Sequence, residues 1–260
     1  MLMKLPDEAS HWLNKVPDVA LSFWVIKILS TTVGETGADF LAVNAGWGQG
    51  PTRALMGALL LAALIGQLRA PRHIPWLYWL CVILVSVVGT QITDLLTDGL
   101  GVSLYASTAA FALGLAAIFA VWHRTEGTLS IHSIVTRRRE LFYWAAILCT
   151  FALGTAAGDL ATEALGLGFV LGALIFGGLI ACVYAGWRCC GHPVSMFWIA
   201  YILTRPFGAA LGDWLTQAQG YGGLGFGAMR TSVLFLAVIA LLVAAAQWKA
   251  TPSRPVQSLE

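Results

Sequence analysis

Residues 23–39 read FWVIKILSTTVGETGAD, and the same skeleton returns three more times along the chain. In each copy an aromatic pair ends in Trp, Gly follows ten residues after that Trp, and Asp follows five residues after the Gly. The four copies are Trp24, Gly34 and Asp39; Trp79, Gly89 and Asp94; Trp144, Gly154 and Asp159; and Trp198, Gly208 and Asp213. Such fixed spacing indicates an internal repeat.

The composition around these copies is that of a membrane protein. Of the 260 residues, 58% are hydrophobic and 11% are charged, against about 25% charged in soluble domains. A water-soluble fold of this size would leave large apolar patches exposed. The chain has no nucleotide-binding glycine loop and no nucleophile elbow. We therefore expect neither an enzyme nor a nucleic-acid-binding protein.

Eight apolar stretches recur along the chain, each close to the about 20 residues that a helix needs to cross a bilayer. They lie near 19–40, 53–68, 75–97, 103–122, 141–162, 168–187, 195–217 and 228–247. The sequence thus predicts an all-α fold with eight transmembrane helices in one membrane domain, 1–260. Its four two-helix repeats span approximately 19–70, 74–124, 139–189 and 193–249.

The basic residues predict the orientation. Eleven of the fifteen fall on one side of an eight-span arrangement: Lys4, Lys15, Arg69, Arg72, Arg124, Arg137, Arg138, Arg139, Arg188, Lys249 and Arg254. By the positive-inside rule that side is cytoplasmic. We expect a bacterial inner-membrane protein with both termini in the cytoplasm. The remaining four basic residues are Lys27, Arg53, Arg205 and Arg230.

Every motif lies on an odd-numbered span, so the four repeats are predicted to be parallel. We place each motif Trp at the cytoplasmic interface, where Trp is enriched. The motif Gly then lies about 15 Å deeper, and the Asp lies in the outer half of the membrane. Because charged faces avoid lipid, the motif helices should face one another and leave the second helix of each repeat at the periphery.

This pattern resembles a family of bacterial membrane proteins with four tandem repeats, each with two transmembrane regions and a characteristic Trp, catalogued as domain of unknown function 347. The likeness covers nearly all of the chain, and its most specific part is Lys27-Ile-Leu-Ser-Thr-Thr-Val-Gly-Glu-Thr-Gly-Ala-Asp39. It implies the repeat fold and carries no assigned activity. The segment Glu35-Thr-Gly-Ala-Asp39 is also similar to the Glu-x-Gly-Asp-Lys/Arg motif of a cation/proton exchanger family. The Asp is displaced by one residue and the basic residue is missing, so this is an analogy only.

Acidic residues concentrate in the motifs. Each motif Asp has a polar residue four positions away: Glu35 with Asp39, Asp94 with Asp98, Asp159 with Glu163, and Asp213 with Gln217. Residues four apart share a helix face. Seven motif acids outnumber the four non-cytoplasmic cations by three, and repeats 2 and 3 contain no such cation.

These acids favour a transporter of a small cation, because carboxylates, hydroxyls and carbonyls suit hard ions such as Mn²⁺. Asp94, Asp98, Asp159 and Glu163 are the predicted ligands, with Asp94 and Asp159 at the centre; Glu35, Asp39 and Asp213 complete the set. Lys27 and Arg205 are predicted to compensate acids in repeats 1 and 4. Proton coupling is compatible with buried carboxylates. The predicted partners are the lipid bilayer and the transported cation. The only bound metal expected is a divalent cation that serves as the substrate. An oligomer is also possible on the sequence.

The alternative is a non-transporting membrane scaffold or sensor, in which the acids cap helices, bind Thr hydroxyls and lock the repeats together. A membrane-embedded metal enzyme is a third reading, which requires a substrate-sized cleft.

Overall fold

A computed structural model describes residues 14–39, 46, 48–189 and 191–250. The side chains of Glu35, residues 37–39, Lys249 and Ala250 lie outside that description. The described chain is all-helical, and its eight long helices are α1 (Leu21–Asp39), α2 (Gln49–Arg69), α3 (Pro75–Asp94), α4 (Leu104–Glu126), α5 (Arg137–Asp159), α6 (Gly168–Cys189), α7 (Pro193–Thr216) and α8 (Ala228–Ala250). The predicted all-α fold with eight helices is confirmed.

Helix boundaries follow local signals. Pro75 and Pro193 occupy the first turns of α3 and α7, where the missing N–H of proline costs nothing. Ser103 and Thr136 cap α4 and α5 by accepting hydrogen bonds from the backbone N–H groups of Ala106 and Arg139. These caps satisfy N–H groups that a helix start would otherwise leave unpaired.

Apolar length supports seven membrane spans among the described residues, α2 to α8. Helix α1 contributes a shorter apolar stretch, Leu21–Gly34. It is nevertheless a full member of the bundle, because its residues Phe23, Ile26 and Lys27 are almost completely buried. The chain is therefore a polytopic membrane protein.

The odd-numbered helices form the centre. Helix α1 packs on α3, α3 on α5, α5 on α7, and α7 on α1. We call these four helices the inner bundle. Half or more of the spanning windows of α3, α5 and α7 is buried, from 50% to 61%, against 11% to 17% in α2, α4, α6 and α8. The predicted split between facing motif helices and peripheral second helices is confirmed.

The peripheral helices do not pack mainly within their own repeats. Each lies along the inner helix of the next repeat: α2 on α3, α4 on α5, and α6 on α7, while α8 lies along α1. The last repeat therefore meets the first through the same helix pairing that joins consecutive repeats. This arrangement gives the fold a pseudo-fourfold character.

Two inner helices change their winding at equivalent places. Residues Leu95–Gly99 and Leu160–Ala164 continue α3 and α5 as π-helical turns directly after the motif Asp. The backbone N–H of Leu100 donates to the Leu95 carbonyl at 3.0 Å, and Leu165 donates to Leu160 at 2.9 Å. Helix α7 runs as an α-helix through its motif Asp to Thr216. Single π-helical turns of this kind occur often at functional sites.

Candidate functional site

The motif glycines are the points at which neighbouring inner helices meet. Each admits the residue that stands three positions before the motif Gly of the next repeat. A Cβ atom added at the glycine would lie 1.9 Å from Ser86 Oγ at Gly34, 2.8 Å from Phe151 Cβ at Gly89, 2.2 Å from Arg205 Cγ at Gly154, and 2.8 Å from Thr31 Cγ2 at Gly208. Glycine allows close helix approach in membranes. The contact from repeat 4 back to repeat 1 is of the same kind as the other three.

An aromatic layer closes one end of the inner bundle, which we call the Trp end. The first aromatic residue of each motif packs on the Trp of the next repeat. The ring centroids are 5.4 Å apart for Phe23 and Trp79, 5.5 Å for Tyr78 and Trp144, 6.1 Å for Tyr143 and Trp198, and 5.7 Å for Phe197 and Trp24. The hydroxyls of Tyr78 and Tyr143 are hydrogen-bonded at 2.6 Å.

Three of the four motif Trp side chains are buried inside the protein. Trp79, Trp144 and Trp198 are only 3% to 5% exposed. The indole N–H of Trp198 donates to the backbone carbonyl of Leu129 at 3.0 Å. These buried rings contribute to packing between neighbouring repeats, and their depth at the cytoplasmic interface stays a prediction.

Arg205 crosses the interior of the inner bundle. It is completely buried, and its Nη2 atom donates to Thr90 Oγ1 at 2.5 Å and to Thr155 Oγ1 at 2.7 Å. Thr90 and Thr155 follow the motif glycines of repeats 2 and 3. Repeat 4 therefore supplies a buried cation to the two repeats whose basic residues all lie on the predicted cytoplasmic side. The count within repeats did not reveal this pairing across the bundle.

Lys27 lies in the same interior. Its side chain is completely buried, and its Nζ atom makes no hydrogen bond among the described residues. The ammonium position is 4.2 Å from the ring centroid of Tyr201 and 4.9 Å from that of Phe151. Aromatic faces attract a cation by their negative quadrupole. The prediction that Lys27 and Arg205 compensate acids remains a prediction.

The motif acids mark the opposite end, which we call the Asp end. Asp94, Asp159 and Asp213 occupy equivalent positions on α3, α5 and α7, and all three are half-buried. Asp94 and Asp159 thus lie at the same level on neighbouring helices, as predicted from their spacing. Asp39 ends α1, and the side chains of Asp39 and Glu35 lie outside the described residues.

The second acids differ from the first. Asp98 and Glu163 are exposed and sit on the π-helical turns, where hydrogen bonds run from residue i to i+5. Across the described part of the chain, no three His, Cys, Asp or Glu side chains are close enough together to hold a metal ion.

The family model of a Repeat of Unknown Function, DUF347, matches residues 22–73, 77–128, 142–189 and 196–251. These four matches cover most of the chain. The chain belongs to the DUF347 repeat family. Each DUF347 repeat begins at or just before its aromatic pair and contains one inner and one peripheral helix. No curated protein and no solved structure matches the chain.

Several residues inside the bundle were not assigned a role from the sequence, and they occupy equivalent positions of the DUF347 repeat. Positions eleven, seven and three residues before the motif Gly come to the interior in every repeat, and the position one residue after it does so in repeats 2, 3 and 4. At seven before, they are Lys27, Val82, Ile147 and Tyr201, which are at most 1% exposed. The four-residue step of these positions is visible in the sequence, but the order in which the repeats meet is not.

Proposed function

We propose that the protein is a membrane transporter of a small hard cation, such as Mn²⁺, and that Asp94 and Asp159 form the heart of its binding site. The observation that carries the proposal is their equivalent, half-buried position on neighbouring inner helices. Carboxylates held at such depth in a membrane protein usually mark an ion pathway.

The residue types on these two helices suit a hard cation. Hard divalent ions accept a small number of carboxylates and complete their coordination with carbonyl oxygens, hydroxyls and water. The π-helical turn after each Asp alters the backbone hydrogen bonding beside it, and Asp98 and Glu163 on these turns are open to solvent. We assign to these two acids the first capture of the ion, and to Asp213 a supporting role on α7.

The proposal includes an orientation. The basic residues Arg69, Arg124, Arg137 and Arg188 stand at or next to the helix termini of the Trp end. The positive-inside rule then directs the Trp end to the cytoplasm and the Asp end to the outside of a bacterial inner membrane. The cation would enter or leave at the Asp end.

The test is cation flux into proteoliposomes that contain the purified protein. Asp94→Asn and Asp159→Asn keep the side-chain size and remove the charge, and each should reduce Mn²⁺ flux about tenfold or more, equivalent to about 1.4 kcal/mol. Glu126→Gln is the matched control. Glu126 contacts Arg138 and Arg139 at the Trp end, so its loss should leave the flux unchanged. Wild-type protein that carries no divalent or monovalent cation would overturn the proposal.

A second candidate is a scaffold that carries nothing, and the close glycine contacts between inner helices favour it. A scaffold predicts a different result for the same variants. Asp94→Asn and Asp159→Asn would lower the melting temperature of the protein in detergent and would leave no flux to reduce. Measuring stability and flux on the same preparations distinguishes the two functions.

A further inference from the structure

Lys27 is a buried titratable group that the carboxylate site does not use. Nothing in the described part of the chain accepts a hydrogen bond from its Nζ atom, and the side chain is 0% exposed. Burial of a charge without hydrogen bonds is costly. The two aromatic rings at 4.2 and 4.9 Å offset part of that cost when the nitrogen is an ammonium, and they remain good apolar neighbours when it is a neutral amine.

A second cationic group shares one of those rings. The guanidinium carbon of Arg205 is 5.8 Å from the centroid of Phe151, the same ring that Lys27 contacts. Arginine stays charged in proteins, whereas a buried lysine can give up its proton. Of these two cations, Lys27 alone can therefore change the charge of the interior.

Other titratable groups lie on the helices around Lys27, and tyrosines are the most numerous among those described. Helix α7 supplies Arg205 and Tyr201, α5 supplies Tyr143, and α3 supplies Tyr78 and Cys81. On α8, Arg230 is the titratable residue whose side chain is described, and it is exposed near the Asp end. On α1 itself, Glu35 stands two turns away and its side chain lies outside the described residues. Tyrosine in its ordinary state titrates near pH 10, about three units above neutrality.

We propose that Lys27 is the proton-exchanging group of the transporter. This rests on the proposed function: an ammonium at Lys27 repels a cation that moves inward from Asp94 and Asp159, and a neutral amine does not. The ammonium releases one proton to water when the interior opens, the nitrogen keeps the lone pair, and the positive charge of the interior falls by one. Reprotonation from the other side of the membrane restores the barrier. One proton thus moves opposite to each cation admitted.

Two lysine variants separate this role from packing. Lys27→Met keeps the apolar stem and is always neutral, and Lys27→Arg is always charged. In proteoliposomes Lys27→Arg should reduce Mn²⁺ flux about tenfold or more at every pH, because the barrier is permanent. Lys27→Met should retain flux that no longer depends on pH and should release no protons to a trapped pH dye. Lys15→Arg is the control, because Lys15 pairs with Glu140 at 2.7 Å in the first turn of α5, at the Trp end, and arginine preserves that pair.

A measurement without transport tests the proton exchange directly. The chain has four lysines, Lys4, Lys15, Lys27 and Lys249. Protein labelled with ¹³C at lysine Cε should show one signal that titrates over the pH range in which transport depends on pH and is missing in Lys27→Met. A Lys27 signal that stays constant over that range overturns the proposal even if transport is normal. So does flux through Lys27→Arg with the wild-type pH profile.

The two proposals can fail separately. If the wild-type protein carries no cation while the Lys27 signal titrates, the transport function falls and the proton exchange at Lys27 stands. If the wild-type protein carries Mn²⁺ with the same pH profile as Lys27→Met, the transport function stands and the role of Lys27 falls.

Discussion

Repeats 2 and 3 differ from repeats 1 and 4 in chemistry, although the motif glycines and aromatic pairs of all four pack in the same way. The middle repeats place Thr90 and Thr155 after their motif glycines and pair Tyr78 with Tyr143. They also continue their inner helices as π-helical turns, whereas α7 stays α-helical. The outer repeats supply the two buried cations, Lys27 and Arg205. Equivalent positions of the four repeats therefore pack in the same way but carry different side chains.

This difference shows how packing and chemistry are divided along one helix. The motif glycines and the aromatic pairs repeat because each neighbouring pair of helices must meet in the same way. The position three residues before the glycine faces the preceding repeat and can still vary, and it holds Thr31, Ser86, Phe151 and Arg205. The shared glycines and aromatic pairs support the fold, while the positions that differ between copies set the chemistry of the interior.

The largest expected effect comes from breaking the shared packing. Gly34→Ala places a Cβ atom 1.9 Å from Ser86 Oγ and 3.0 Å from the Ser86 backbone carbon, so the helices must separate. Overpacking of this kind costs about 1–3 kcal/mol and occasionally more. The unfolding equilibrium in mixed detergent micelles measures it. Gly57→Ala on peripheral α2 is the control, since nothing lies within 4 Å of its added Cβ; a loss there equal to that at Gly34 would contradict the role of the motif glycines.

A smaller effect is expected at the link between repeat 4 and the middle repeats. Thr155→Val keeps the shape and removes an acceptor of the buried Arg205 guanidinium. Interhelical hydrogen bonds in membrane proteins contribute about 0.6 kcal/mol on average and up to about 1.7, and the charged donor puts this one near the upper value. Thr90→Val should behave alike.

The matched control for the threonines is Thr125→Val. The Thr125 hydroxyl donates only to backbone carbonyls of its own helix, Val121 and Trp122, so the unfolding free energy should not change. A double variant of Thr90 and Thr155 should deviate from additivity because both hydroxyls serve one nitrogen. Simple additivity, or no loss at all, would argue that Arg205 is held by other groups.

The smallest effect is expected when the aromatic pair of repeat 2 is made the same as those of repeats 1 and 4. Tyr78→Phe gives repeat 2 the residue that repeats 1 and 4 already have, but it leaves the buried Tyr143 hydroxyl without its partner. That loss costs about 1 kcal/mol, whereas removal of both hydroxyls in a Tyr78→Phe, Tyr143→Phe variant should be nearly neutral. Equal losses in the single and double variants would show that the hydroxyl pair is not the cause.

Much of the fold could be predicted from the sequence. The spacing of Trp, Gly and Asp identified the inner helices, and apolar length placed the spans within a few residues of their observed bounds. The π-helical turns could not be predicted, because neither LLTDG at 95–99 nor LATEA at 160–164 is a pattern specific to such a turn. The packing of each peripheral helix on the next repeat could not be predicted either, because an apolar helix with small residues can lie against either neighbour.

The arrangement of residues inside the bundle was predicted in part for a related reason. The common level of Asp94 and Asp159 follows from position within the repeat. The reach of Arg205 to Thr90 and Thr155 depends on which repeats face each other, which no spacing within one repeat encodes. The rings of Tyr201 and Phe151 around Lys27 were missed because aromatic residues within apolar runs look like ordinary core.

The closure of the inner bundle, in which repeat 4 meets repeat 1 as the others meet, has a consequence for how such a molecule can be built. Four separate identical chains arranged this way would set four lysines and four arginines around one line, and charges of one sign at such close quarters would force the assembly apart. When the four copies are joined in a single polypeptide, they no longer need to carry the same residue at each position. One copy can therefore place Lys27 in the interior and another can place Arg205 there, because the four repeats belong to one chain and can differ in sequence.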